Sequence, residues 1–307
     1  MQKEERLQID FPPDIELIDT HVHMWNLQHE SLKWSWIDTP DNHPIVGNID
    51  SVKSRAFEME HLETESRFAA VSGFVHVQAA LGSPNPVDET RWLDNMSREH
   101  PKLKAIIGHA DLALPIASEQ IDQHLESQLF RGIRDFALEP YLASGEYEHT
   151  FEANLAMLAE KQLVLDMDCE YVNMRAAHDL ARRHPELIIV LEHIGFPRQR
   201  DTEYFAAWRK GVAALAEAPN VVCKLSGMAM TNPSYSYSEL RPWVEHCVDH
   251  FGPQRLMVGS NWPLDRARGS YDAIMAHTRA LISELAGDHS VEILRNTAQR
   301  IYTIENN

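Results

Sequence analysis

Ile18-Asp19-Thr20-His21-Val22-His23-Met24-Trp25 ends an apolar run with two histidines two residues apart. Side chains alternate along a strand, so positions i and i+2 share a face, about 7 Å apart at Cα. On the inner face of a closed barrel such a pair is a site, whereas on an ordinary strand it is only two polar residues closing an edge. The pair alone leaves both readings open, and the rest of the chain decides between them.

Working outward, short β-branched and apolar runs recur at 15–19, 71–77, 105–109, 132–134, 163–168, 187–192, 220–225 and 255–259. Several read as continuous apolar stretches, as parallel strands buried on both faces do. Between them, 154–162, 175–184, 205–217 and 273–285 carry apolar residues at helical spacing. Eight βα alternations predict an α/β fold, a (β/α)8 TIM barrel, with residues 1–307 as a single domain. Residues 26–68 hold Trp34, Trp36, Pro40, Pro44 and Gly47, too irregular for one helix and too aromatic for a linker. They are expected to be a long loop after the first strand and a candidate lid, because loops after strands build the active face of a barrel.

Composition narrows the function classes. The chain has 307 residues, 44% hydrophobic and 24% charged, which is globular composition with no bilayer-length apolar stretch. Its net charge of −18 repels phosphate backbones and anionic lipid, and no basic patch offsets it, so neither nucleic acid nor membrane is expected as a partner. Met1-Gln2-Lys3-Glu4-Glu5-Arg6 lacks the apolar core of a secretory signal, and Cys169, Cys223 and Cys247 show no metal or disulfide spacing. A cytoplasmic protein with free thiols is the expectation, and assembly into a homo-oligomer stays open.

Polar residues gather at the ends of the proposed strands, where barrel enzymes collect their catalytic groups. His21 and His23 follow strand one, Gln78 strand two, Arg134 strand four, Asp166 and Asp168 strand five, His193 strand six, Lys224 strand seven, and Asn261 and Asp265 strand eight. Packing accounts poorly for so many ionisable groups, because buried charges are costly without partners. His76 and His109 fit better as hydrogen-bonded core residues, and His61, His124, His149, His178 and His246 as surface residues of helices.

IDTHVHMW, GFVHVQA, AIIGHADL, FRGIRD, IVLEHIGFP, VVCKLSGM, RLMVGSNWPLD and ILRNTAQRIYTI, in that order, resemble the amidohydrolase superfamily. Within it the likeness is to the amidohydrolase-related family of barrel hydrolases, which includes sugar-acid and dicarboxylate lactonases. The resemblance spans nearly the whole chain and implies that His21, His23 and His193 are the active-site histidines. One position departs from the pattern. Many relatives have aspartate where this chain has Asn261, ligating metal or serving as general base, while another branch reads SN(F/W)P. The Asn261 amide cannot take a proton at physiological pH.

Two mechanisms are compatible with these residues. Three neutral imidazoles suit a divalent metal, zinc foremost, which lowers the pKa of bound water to about 7. Without a metal, one imidazole acts as general base and a histidinium, Lys224 or Arg134 stabilises the oxyanion. Asp265 replaces the missing carboxylate only if the Trp262-Pro263 turn folds back; otherwise it caps the following helix.

The expected substrate is a small molecule, anionic or polyhydroxylated. Arg134 and Lys224 would bind it, with Gln78 and Asp166 beside them and Trp25 and Trp262 as an apolar wall. Of Asp166 and Asp168, Asp166 is expected to face inward, and Arg134 has the alternative of pairing with it. Lactone hydrolysis is the leading reading, with non-oxidative decarboxylation and a non-catalytic small-molecule-binding barrel as alternatives.

Overall fold

The apolar run that ends in the histidine pair forms β1 (Leu17–Val22), two residues later than its apolar pattern suggests, so the strand itself carries His21. The structure, a computed structural model, describes residues 15–37, 47–50, 52–136, 138–144, 149–230 and 236–305. After β1 come a two-stranded antiparallel ribbon of β2 (Trp25–Asn26) and β3 (Ala56–Phe57), then α1 (Met59–Glu65). The segment 26–68 therefore holds more regular structure than a loop, while Pro40 and Pro44 lie outside the described residues.

Strands and helices then alternate. They are β4 (Val71–Val77), α2 (Val87–Ser97), β5 (Leu103–Gly108), α3 (Ala117–His124), β6 (Phe130–Arg134), α4 (Leu138–Ser144), α5 (His149–Glu160), β7 (Val164–Met167) and α6 (Met174–Arg183). The second half holds β8 (Ile189–Leu191), α7 (Thr202–Ala216), β9 (Val221–Leu225), α8 (Tyr237–Phe251), β10 (Leu256–Val258), α9 (Tyr271–Ala286) and α10 (Thr297–Ile301).

β1 and β4 to β10 lie in chain order in one eight-stranded parallel sheet, as the alternation predicts. The two end strands meet at a seam. A parallel bridge joins Val22 to Trp262, the His23 amide donates to the Trp262 carbonyl at 2.8 Å, and the Thr20 hydroxyl donates to the Val258 carbonyl at 2.8 Å. Asp19 completes it by accepting from the Ser260 amide at 2.8 Å and the Tyr271 hydroxyl at 2.8 Å. These contacts close the sheet into a (β/α)8 barrel and bring His21 beside the strand end that carries Asn261.

Alternation along the strands sorts the core into two shells. Ile18, Val75, Val77, Val164, Val190 and Val222 fill the barrel with Tyr302 from the chain's last turn. Phe74, Ile106, Ile133, Leu165, Leu191 and Leu225 point outward into the helical layer. Small β-branched residues suit the narrow interior, and larger residues suit the wider sheet–helix gap. The caps follow the same local logic: Asp201 accepts from the Glu203 and Tyr204 amides to start α7, and Ser270 accepts from Ala273 to start α9. Among the described residues no helix is long and apolar enough to cross a membrane.

Candidate functional site

His21 and His23 face the barrel interior, and both are buried. His23 Nδ1 lies 2.8 Å from the Val77 carbonyl, which can only accept, so Nδ1 carries the proton and Nε2 presents its lone pair. That Nε2 faces His21 Nε2 at 3.1 Å. His21 Nδ1 has no hydrogen-bond partner and stands 3.6 Å from Glu192 Oε1. With its proton on Nε2, His21 donates to His23 Nε2; with the proton on Nδ1, toward the Glu192 carboxylate, both Nε2 lone pairs are free for a cation.

Glu192 and His193 come from the chain just past β8. Consecutive strand residues point to opposite faces, but here the backbone leaves the extended region: His193 has φ 52°, Ile194 φ 50° and Phe196 φ 48°. Glu192, two residues after the inward-facing Val190, faces the barrel by alternation, and this left-handed turn, uncommon for residues other than glycine and costly for a β-branched one, brings His193 in beside it. The His193 ring centroid lies 4.3 Å from that of His21, and its Nδ1 is 2.8 Å from Ser226 Oγ. Gly227 makes room for that ring, since a Cβ there would sit 2.5 Å from His193 Nδ1.

Arg134 balances the Glu192 charge. Its Nη1 donates to Glu192 Oε2 at 3.1 Å, and its Nε and Nη2 donate to Gln78 Oε1 at 3.2 and 3.0 Å. Arg134 thus does not pair with Asp166, although the two are register partners on β6 and β7. Burial opposes the Glu192 charge, yet Arg134 first, then His193 and Lys224, hold its carboxyl below the usual range.

The histidines respond in the opposite sense. Burial lowers His21 and His23 well below the usual imidazole value, helped by His193 at the first and Arg134 at the second. Burial also brings His193 down to about 3, against the pull of Glu192. The site thus offers three neutral imidazoles and one ionised carboxylate.

Asn261 sits on the far side of the seam with φ 56°. Its Nδ2 donates to Asp265 Oδ1 at 3.0 Å, so the turn after β10 does fold back, and Asp265 is not the cap of the next helix. Burial pushes the Asp265 carboxyl up to about 7. Asn261 Oδ1 is buried with no hydrogen-bond partner.

A cavity opens over this cluster, with about 540 Å3 of space that includes open solvent at its mouth. His23, Arg134, Asp168, His193 and Asn261 form its polar lining; Trp36, Phe136, Phe196, Met230 and Leu264 form much of the apolar lining. Other expected residues lie elsewhere. Trp25 is fully buried, donates to the Ser54 carbonyl and packs on Trp36 and Phe57, while Trp262 donates to Glu65. Trp36, from the long segment after β1, supplies the wall instead.

Lys224 and Asp166 pair with each other at 2.5 Å, both fully buried, and Tyr302 donates to Asp166 at 3.3 Å. Gln78 acts through Arg134. Asp166 and Asp168 are two apart and share a face, with Asp168 nearer the cavity. Glu192 is the group that sequence reasoning missed. Of the histidines assigned to the core or the surface, His76 is buried against Glu89 at 3.0 Å as expected, whereas His124, His178 and His246 are buried rather than exposed.

The donor set fits a divalent metal. Tetrahedral ligands at zinc–imidazole bond lengths of about 2.0–2.1 Å stand about 3.3 Å apart, near the separation of the two Nε2 atoms. His21, Glu192 and His193 form a group whose ligand atoms lie within 4.8 Å of one another.

Comparison with known proteins gives a consistent picture. A family model described as amidohydrolase matches residues 18–304. An L-fucono-1,5-lactonase from Burkholderia multivorans is 28% identical over 300 residues, covering 94% of this chain and 96% of its own length. A Sinorhizobium fredii protein called uncharacterized protein y4mH is 32% identical over 85% of this chain and 89% of its own length. A crystal structure of a Burkholderia multivorans amidohydrolase with bound zinc matches with a TM-score of 0.79 at 26% identity, covering 94% of this chain and all of that one.

Proposed function

The chain belongs to the amidohydrolase family, and we propose that it hydrolyses the cyclic ester of a sugar acid, with His21, His23, His193 and Glu192 holding a divalent metal, zinc foremost. The observation that carries this reading is the convergence of three imidazoles and a carboxylate at one end of a cavity whose other walls are largely apolar. The lactonase names of relatives that align along nearly their whole length support the ester as substrate.

When bound, the metal activates water near neutrality and polarises the ester carbonyl. The chain's residues do the rest. The Val77 carbonyl and Ser226 fix the His23 and His193 rings, and Arg134 keeps Glu192 ionised. Asp265 holds Asn261 Nδ2, so that Asn261 Oδ1 stays aimed as an acceptor. Trp36, Phe136, Phe196 and Leu264 exclude bulk water and offer apolar surface to a ring face. In the overall reaction water oxygen bonds to the carbonyl carbon, the ring C–O bond breaks, and the ring oxygen takes a proton to give the open hydroxy acid.

The test is a panel of lactones, L-fucono-1,5-lactone, L-rhamnono-γ-lactone, further aldonolactones and 2-pyrone-4,6-dicarboxylate, followed by proton release with zinc, manganese or chelator. Ring opening of at least one aldonolactone about a hundredfold above buffer is expected. No opening above buffer of any lactone contradicts the proposal. Carbon dioxide release from an aromatic acid would replace it with decarboxylation, and binding without turnover with a non-catalytic barrel.

A further inference from the structure

We propose that Asp168 is a specificity-determining residue of this cavity: it accepts a hydrogen bond from a substrate ring hydroxyl, so that the site takes neutral polyhydroxylated lactones in preference to lactones bearing a carboxylate. The inference rests on the lactonase reading for the ester, but not for the preference between hydroxyl and carboxylate.

Asp168 and Asp166 leave β7 on the same face and meet opposite fates. The Asp166 carboxylate is satisfied by Lys224 and Tyr302. Asp168 reaches the cavity, and its Oδ1 is buried without a hydrogen-bond partner. A buried acceptor left unmet costs about 1–3 kcal/mol, and more when charged, so a donor arriving with the ligand recovers that cost. Asp168 is also no member of the metal-binding group formed by His21, Glu192 and His193.

The rest of the lining decides which ligand brings the donor. Asn261 Oδ1 is a second buried acceptor without a partner, oriented by the bond from its amide nitrogen to Asp265. Arg134 is the one lysine or arginine in the described lining, and it is already committed to Glu192 and Gln78. A ligand carboxylate would meet two acceptors and a neutralised guanidinium. Ring hydroxyls would meet acceptors they can satisfy, while Trp36 and Phe136 cover the C–H face.

The electrostatics agree. Burial, then Glu192 and Glu139, push the Asp168 carboxyl up to about 7, against Arg134 and Arg198. The Glu139 charge that disfavours ionisation of Asp168 disfavours a ligand anion in the same place. A hydroxyl donor strengthens the ionised form through a charge-assisted bond.

The experiment compares kcat/KM of the full chain and of Asp168→Leu and Asp168→Asn on L-fucono-1,5-lactone and on δ-valerolactone, which shares the ring but has no hydroxyls. The ratio of hydroxylated to bare substrate should fall about tenfold to a hundredfold in Asp168→Leu, mainly through KM. Asp168→Asn, which keeps an acceptor and the residue's shape, should fall less and should improve relative turnover of 2-pyrone-4,6-dicarboxylate. An unchanged ratio in both variants, or better turnover of the dicarboxylate than of any aldonolactone by the unaltered chain, overturns the proposal.

If the unaltered chain opens no lactone, the lactonase reading falls and calorimetry decides this inference separately, with L-fucose, L-rhamnose and glutarate as probes. Binding of a sugar, weakened about tenfold or more by Asp168→Leu, upholds it. Equal sugar binding by both chains, preference for glutarate, or no sugar binding overturns it.

Discussion

Two polar layers are buried inside this barrel, and they differ in how completely their groups are satisfied. In the lower layer Lys224, Asp166 and Tyr302 form a closed set: a 2.5 Å ion pair and a 3.3 Å hydroxyl bond. In the upper layer, toward the carboxyl ends of the strands, His21 Nδ1, Gln78 Nε2, Asn261 Oδ1 and Asp168 Oδ1 are buried with no hydrogen-bond partner. Folding tolerates few such groups. The closed set has the character of structure, and the open set that of a surface waiting for a metal and a ligand. Burial of charge alone does not separate the two; what separates them is whether each atom already has its partner.

The contrast can be broken from either side. The largest effect is expected in the open layer, where His193→Ala should lower kcat/KM on the best lactone by about 10³, measured by initial rates, with the fold retained. In the closed layer Lys224→Met leaves Asp166 buried beside Tyr302 alone and should cost about 3–5 kcal/mol in urea unfolding. The kcat of the folded fraction should stay within about tenfold. If Lys224→Met instead abolished turnover at unchanged stability, Lys224 would belong to the open layer.

A subtler effect concerns Asp265, whose carboxyl rises from the ordinary 3.8 to about 7 on burial. Between those values the native state holds one proton more than the unfolded chain. The residue's contribution is therefore fully present below about pH 4 and lost as pH rises through 7. Asp265→Asn should remove a slope of up to about 1.4 kcal/mol per pH unit between pH 5 and 7, read from denaturant unfolding at each pH. The smallest effect on turnover is expected at Trp25, where Trp25→Phe loses one hydrogen bond to Ser54 and part of a fully buried ring, about 2 kcal/mol of stability, and leaves KM unchanged.

Much of the barrel was legible because β-branched runs and helical spacing repeat in order. The histidine pair and His193 were legible because they stand at strand ends. Glu192 was hidden behind His193: neighbours on a strand face opposite ways, and only the left-handed turn at His193, φ 52°, brings that ring inward beside Glu192. Trp25 and Trp262 misled in the other direction, since nearness in sequence to site residues places neither side chain in the cavity. Lys224 and Asp166 looked like ligand-binding groups because a sequence does not display that two buried opposite charges, from β9 and β7, meet each other. Asp168 was passed over for Asp166, although positions two apart share a face. Trp36 stayed anonymous inside an irregular segment whose path no periodicity records.

The most direct measurement is the metal content of freshly purified full-length chain, with Glu192→Gln and His21→Ala alongside, read together with lactone turnover before and after chelation. About one divalent ion per chain is predicted, with much weaker retention in both variants and turnover that falls on chelation and returns with zinc. A chain that takes up no divalent ion and opens lactones equally well in chelator would contradict the assignment of the unsatisfied imidazole–carboxylate layer as a metal-holding hydrolytic centre.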